Sequence, residues 1–160
     1  MIATVMVLLG GIALVIAALV FSVKRKKKEQ KQALAQAVGE QATLLQLSWT
    51  NIDIDHHRAT AWSHPRRVLF YVDLSDKQPI SQVINTALMK DCRIVNQYSE
   101  SASIKSVLIE SNITKVDLQF TFITQPPVSI CLYDEHKDGI YEKIRLSEKA
   151  RNLKTLITTA

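Results

Sequence analysis

Asp53, Asp55, His56 and His57 fall within five residues, and His64 follows shortly after. Carboxylates and imidazoles at this density can ligate zinc, iron or manganese, or pass a proton as general acid and base. Asp53, Asp55, His56, His57 and His64 are therefore the metal-site candidates, and a small metal-dependent hydrolase is the chemistry they would serve. Their spacing works against one site. On a strand Asp53, Asp55 and His57 share a face while His56 points to the other. His64 belongs to the turn-like insert Ser63-His64-Pro65-Arg66. The plainer reading is the solvated face of an edge strand, with Ile52 and Ile54 toward the core.

A second polar run, Asp134-Glu135-His136-Lys137-Asp138-Gly139, places Asp134, His136, Asp138 and Gly139 at positions 1, 3, 5 and 6 of a calcium loop. Such a loop needs Asp or Asn at position 3 and a bidentate Glu at position 12. Here those positions hold His136 and Arg145, which argues for an ordinary polar loop.

Other chemistries lack their parts. Beyond residue 23 the chain has two glycines, Gly39 and Gly139, so no phosphate-cradling loop can form. There is no Gly-x-Ser-x-Gly elbow and no His-Glu-x-x-His. Cys92 and Cys131 sit in apolar runs without a Cys-x-x-Cys partner, as expected of buried thiols in a reducing compartment. No cofactor is expected.

The net charge of +5 has one source. Residues 1–23 carry no charge, and Lys24, Arg25, Lys26, Lys27 and Lys28 follow directly. Beyond them, 15 Lys and Arg balance 15 Asp and Glu. A neutral domain without a basic stripe is a poor phosphate binder, so no nucleic-acid partner is expected. Arg66 and Arg67 form a small basic turn, a candidate partner or headgroup surface.

Residues 2–23 would rise about 33 Å as a helix at ~1.5 Å per residue, enough to cross a ~30 Å hydrocarbon core. A cleaved leader would carry its basic residues before the apolar stretch, and here they come after it. The expectation is an uncleaved single-pass anchor over 1–23 and a basic membrane-surface run over 24–28. Lys and Arg beside a span stay on the cytoplasmic side. The N-terminus is thus expected outside, with the following domain in the cytoplasm and a bacterial inner membrane as the compatible setting.

The elements that must position these residues follow from periodicity. Residues 29–47 read as an amphipathic stalk helix with Leu34, Val38, Ala42, Leu45 and Trp49 on one stripe. That stripe is expected to pack on the domain, with a homodimer through 29–49 as the alternative use. Residues 48–160 read as one domain. Period-two runs predict strands near 50–55, 59–62, 67–74, 92–98, 105–111, 116–122 and 128–132. Ile80, Val83, Ile84, Ala87 and Leu88 predict a helix over 79–90. Leu146, Ala150, Leu153 and Ile157 predict a last helix over 140–157, with Ser147 as a cap for a shorter version.

Strands joined by short turns make an antiparallel sheet, so the fold class is α+β: a meander with about three helices. In the order of its elements, a meander closed by a C-terminal helix, the chain resembles PH-like domains. The functional expectation is a membrane-tethered, non-catalytic interaction module. It would contact lipid through residues 2–28 and bind a protein partner as an accessory or assembly subunit. The alternatives are the metal-dependent hydrolase and a lipid-headgroup module.

Overall fold

The computed structural model describes residues 2–99 and 112–159, with side chains from residue 21 onward. Ile2–Leu45 form one continuous helix, α1. Seven strands follow: β1 (Asn51–Ile54), β2 (Arg58–Ser63), β3 (Val68–Asp73), β4 (Ile80–Asn85), β5 (Met89–Tyr98), β6 (Ile113–Phe122) and β7 (Val128–Asp134). The one-turn α2 (Glu135–Asp138) and α3 (Lys143–Thr158) close the chain. The class is α+β with antiparallel pairing throughout, and the expected single sheet is in fact two. β1–β4 form one in sequential order, and β5–β7 form the other. The break lies at a 3-10 turn over Thr86–Leu88, where the Asn85 side chain accepts a hydrogen bond from Ala87 N and turns the chain out of the first ladder.

The main core lies between the sheets. Trp62, Leu69, Tyr71 and Ile84 meet Cys92, Leu118, Phe120, Ile130 and Leu132, and α3 adds Leu146, Ala150, Leu153 and Ile157. The alternation expected of Val116, Leu118, Phe120 and Phe122 and the four-three-four spacing of the last helix both hold, because all eight residues are buried.

A second core lies on the outer face of the first sheet. β2 is buried on both sides. Arg58, Thr60 and Trp62 face inward, while Ala59 and Ala61 join Phe70 and Val72 beneath Leu34 and Val38 of α1. Two alanines leave room for a helix to lie close. Leu34, Val38 and Trp49 of the stalk stripe thus pack on the domain, while Leu45 is exposed. α1 ends in a Schellman turn: Leu47 N donates to Ala42 O, Gln46 N donates to Thr43 O, and Gln46 takes a positive φ of 51°. Trp49 then stacks on Phe70 at 6.3 Å and donates to Val38 O, fastening the reversal.

Residues 79–90 correct the sequence reading. They form β4, the 3-10 turn and the start of β5 rather than a helix. β4 pairs along β3, Leu69 opposite Ile84 and Val72 opposite Ser81. That pairing satisfies backbone groups β3 would otherwise leave open, and it costs exposure of Ile80 (45%) and Val83 (49%). Ser147 is not a cap either, since α3 begins four residues earlier. The strand expected at 105–111 lies outside the described residues.

Among the described residues no helix is long and apolar enough to cross a membrane. The side chains of residues 2–20, which carry most of the apolar run, lie outside that description. Leu34→Ala is expected to cost about 2–4 kcal/mol in chemical denaturation. Leu44→Ala, at a 73% exposed site on the same helix, should stay within about 0.5 kcal/mol.

Candidate functional site

β1 runs back along α1 and turns at residues 55–57, where Asp55 N donates to Arg58 O. This turn packs against α2 and the start of α3, and there the candidate residues find partners. Asp53 lies 3.0 Å from Lys149 Nζ. Asp55 lies 2.8 Å from Arg145 and 3.5 Å from Lys149, and its other oxygen accepts from His56 N. His56 stands 4.0 Å from Glu142, and His57 stands 3.3 Å from Asp138. His64 sits in the β2–β3 turn at the opposite end of the sheet, about 20 Å away at ~3.3 Å per strand residue, where its backbone N donates to Thr50 Oγ1. Among the described residues no three His, Cys, Asp or Glu side chains are placed to hold a metal ion.

The centre of this end is Arg58, which the sequence did not single out. It is buried between the sheets, with Nε donating to Asp73 Oδ2 at 2.9 Å and Nη1 to Asp138 Oδ2 at 2.7 Å. Nη1 also reaches Leu132 O at 3.3 Å. Tyr71 donates to Cys131 O at 2.7 Å and stands 3.2 Å from Asp73 Oδ2. Asp73 also accepts from Ser75 N, and Asp138 from Asp134 N. Arg58, Asp73 and Asp138 thus hold one another with most of their hydrogen-bonding capacity spent, tying the first sheet to β7 and α2. Asp138, read from sequence as part of a polar loop, is 3% exposed and serves as the second anion of this clamp.

The proton affinities agree with a structural role. Burial pushes the Asp55 carboxyl up, but Lys149 and Arg145 outweigh it and leave it below its ordinary value. Burial likewise opposes the charge on Asp73, and its bonds to Ser75 and Arg58 prevail, again lowering it. Burial and the neighbouring Arg58 cation lower His57. Burial pushes the Cys92 thiol up to about 11 and the Cys131 thiol up to about 12, so both remain protonated at neutral pH and neither is primed as a nucleophile. Each of these shifts carries its group away from neutral pH rather than toward it.

The remaining candidates are surface features. Residues 24–28 are exposed on α1, with Arg25 paired to Glu29 at 2.9 Å. Arg66 is exposed, while Arg67 takes a positive φ of 53° and offers its carbonyl to Thr86.

α3 lies across the opening between the sheets and leaves a groove on each flank. Toward β1 the groove holds about 480 Å³ and is lined by Asp53, Thr60, Arg145, Glu148, Lys149 and Asn152 among others. Its charges alternate in sign and are largely paired. Toward β5 the groove holds about 350 Å³ and is lined by Ile94, Asn96, Tyr98, Ile113, Val116, Ser147 and Arg151. Sequence reasoning missed both grooves, because each needs α3 set beside strands far away in the chain.

Compared with known proteins, the chain matches no family model, no curated protein and no solved structure.

Removing the clamp's cation leaves two buried carboxylates facing each other. Arg58→Ala is expected to cost about 3–5 kcal/mol in denaturant titration. His57 yields a pH signature. With its folded-state value below the ordinary 6.5, it stays neutral in the native protein after the unfolded chain has begun to take up a proton. Its contribution is complete above about pH 6.5 and is lost as the pH falls below that. The melting midpoint is expected to drop as the pH falls below about 6.5, and His57→Asn should flatten that limb. The lowered values of Asp55 and Asp73 place a further loss below about pH 4.

Proposed function

We propose that this protein is a membrane-tethered, non-catalytic interaction module. Its domain, residues 48–160, would bind a protein partner at the cytoplasmic face as an accessory or assembly subunit. The observation that carries this reading is the continuity of α1. One helix runs from the uncharged stretch, through Lys24–Lys28, to the residues that seat the domain. Leu34 follows Lys28 by about 9 Å of helix at ~1.5 Å per residue, so the domain is held close to the basic run rather than hung on a flexible linker.

Further support comes from the polar residues. Asp53, Asp55, Asp73 and Asp138 are held in ion pairs inside the fold. The arrangement of four antiparallel strands, then three, then a closing C-terminal helix fits the PH-like plan, a scaffold argument and no more than that. With residues 2–23 as the anchor, the positive run orients the N-terminus outside and the domain inside a plasma membrane, in a bacterium the inner one. Since β1 runs antiparallel to α1, the β1–β2 turn, the β3–β4 loop and α2 lie at the end nearer that membrane. α3 and its flanking grooves lie on the sides, open to a partner.

The test is in-cell crosslinking of the tagged full-length protein, followed by detergent purification and mass spectrometry. A single partner at near-stoichiometric yield is expected. Recovery of the protein alone, or crosslinked to itself, would overturn the reading.

A further inference from the structure

Tyr141 is 96% exposed, and Ile140 and Ile144 beside it are exposed as well. Among the described residues no other five-residue stretch leaves three large apolar side chains in water. They occupy the junction of α2 and α3, where Ile140–Glu142 make a 3-10 turn that passes straight into α3. The inward stripe of α3 starts later, at Leu146, so these three side chains stand outside it. Ile140 and Ile144 are four apart and share a side. Single exposed apolar residues need no explanation, but a cluster marks a contact surface.

The fold sets this cluster at the height of the basic run. Trp49 donates to Val38 O and stacks on Phe70, which pairs with Ala61. Val38, Phe70 and Ala61 therefore lie at one level. β2 is antiparallel to β1 and so runs in the direction of α1. From Ala61 back to His57 the chain covers about 13 Å at ~3.3 Å per residue. From Val38 back to Lys28 the helix covers about 15 Å at ~1.5 Å per residue. The β1–β2 turn is thus level with Lys28. Glu142 stands 4.0 Å from His56 and Arg145 2.8 Å from Asp55, so the cluster borders that turn. Lys28 lies about 7.5 Å beyond Val23 along the helix, and the headgroup layer on each side of a bilayer is about 5–8 Å deep. With residues 2–23 spanning, the cluster stands at the headgroups.

Its chemistry suits that place. A tyrosine ring with a free polar tip belongs at the membrane–water boundary, and isoleucines beside it can enter the acyl margin. An anionic leaflet repels carboxylates, and those bordering the cluster each face a cation. Glu142 lies 2.6 Å from Arg145, Glu135 3.8 Å from Lys143 and Asp76 2.7 Å from Lys137. Lys77, next to Asp76, is exposed on the β3–β4 loop. The far end of the domain supplies a comparison. Ile123 is 80% exposed, but it follows the end of β6 opposite Lys115, which pairs with Asp134 just before α2.

We infer that Ile140, Tyr141 and Ile144 seat the domain on the anionic leaflet of the membrane that holds α1. The isoleucines enter the headgroup boundary, and the Tyr141 ring lies among the headgroups. The protein then meets the bilayer twice, and the second contact sets which way the sides of the domain face. This rests on the membrane-tether reading above and adds to it a seat in the domain itself.

The test uses the full chain in nanodiscs of phosphatidylcholine and phosphatidylserine whose acyl chains carry bromine near the headgroup. Tyr141→Trp and Ile123→Trp each add one indole to the native Trp49 and Trp62, whose own signal is taken from the parent. Bromine should quench the indole at position 141 at least about threefold more strongly than the one at position 123, as expected of a ring at interface depth. Adding Ile140→Glu and Ile144→Glu should bring quenching at 141 down to the level at 123, with the melting midpoint showing that this variant is folded. Weak quenching at 141, equal quenching at both positions, or full quenching at 141 in the folded glutamate variant would overturn the assignment. Loss of the crosslinked protein partner in that variant, with position 141 unquenched before the glutamates are added, would give the cluster to a protein instead. A full chain that stays out of the nanodiscs and washes from membranes in alkaline carbonate would remove the tether reading, and the seat with it.

Discussion

Arg58 enters the space between the two sheets from β2 and meets one carboxylate from β3 and another from the end of α2. A guanidinium there is expensive to desolvate, and two anions within 2.9 Å make it tolerable. Once those bonds exist, much else is set. The β1–β2 turn is drawn onto α2, which brings Asp55 to Arg145 and Lys149 and His57 to Asp138. β7 is held to β3 through the Tyr71 hydroxyl and the Cys131 carbonyl. A buried pair of this kind gives little net stability over a well-packed apolar substitute. What it gives here is a set of bonds that joins β2 and β3 to β7 and α2.

At the same end of the molecule the polar residues are held chiefly by one another. A metal site leaves donors convergent, and a general base keeps its proton affinity near the working pH. Here the imidazole of His57 is depressed by burial and by Arg58, and the carboxylates are each held by a cation. α1 covers one face of the first sheet and fixes the domain to whatever holds the helix. α3 closes the sandwich against β5, β6 and β7.

Much of the fold was legible in particular residues. Val116 to Phe122 alternate so regularly that strand and core face could be read together, and Leu34 and Val38 marked the buried face of α1. The 79–90 segment was not legible. Ile80, Val83, Ile84, Ala87 and Leu88 trace a helical stripe, yet pairing with β3 prevails and leaves Ile80 and Val83 half in water. That outcome depends on β3 having an open edge, which no local window contains. The Asp-His cluster was visible as residue types but not as a structure, because its partners sit 80 or more residues away in α2 and α3. Arg58 was overlooked for the same reason. Next to two histidines it reads as one more turn residue, and only Asp138, far along the chain, shows what it does.

The central claim, that Arg58 and its carboxylates hold the two sheets together, is tested most directly by a double-mutant cycle. Unfolding of the full-length protein would be measured for the parent, Arg58→Met, Asp138→Asn and the pair. Strong coupling, on the order of 1–3 kcal/mol, is expected, with the double variant less destabilised than the sum of the single ones. Additive losses, with the two sites independent, would contradict the account.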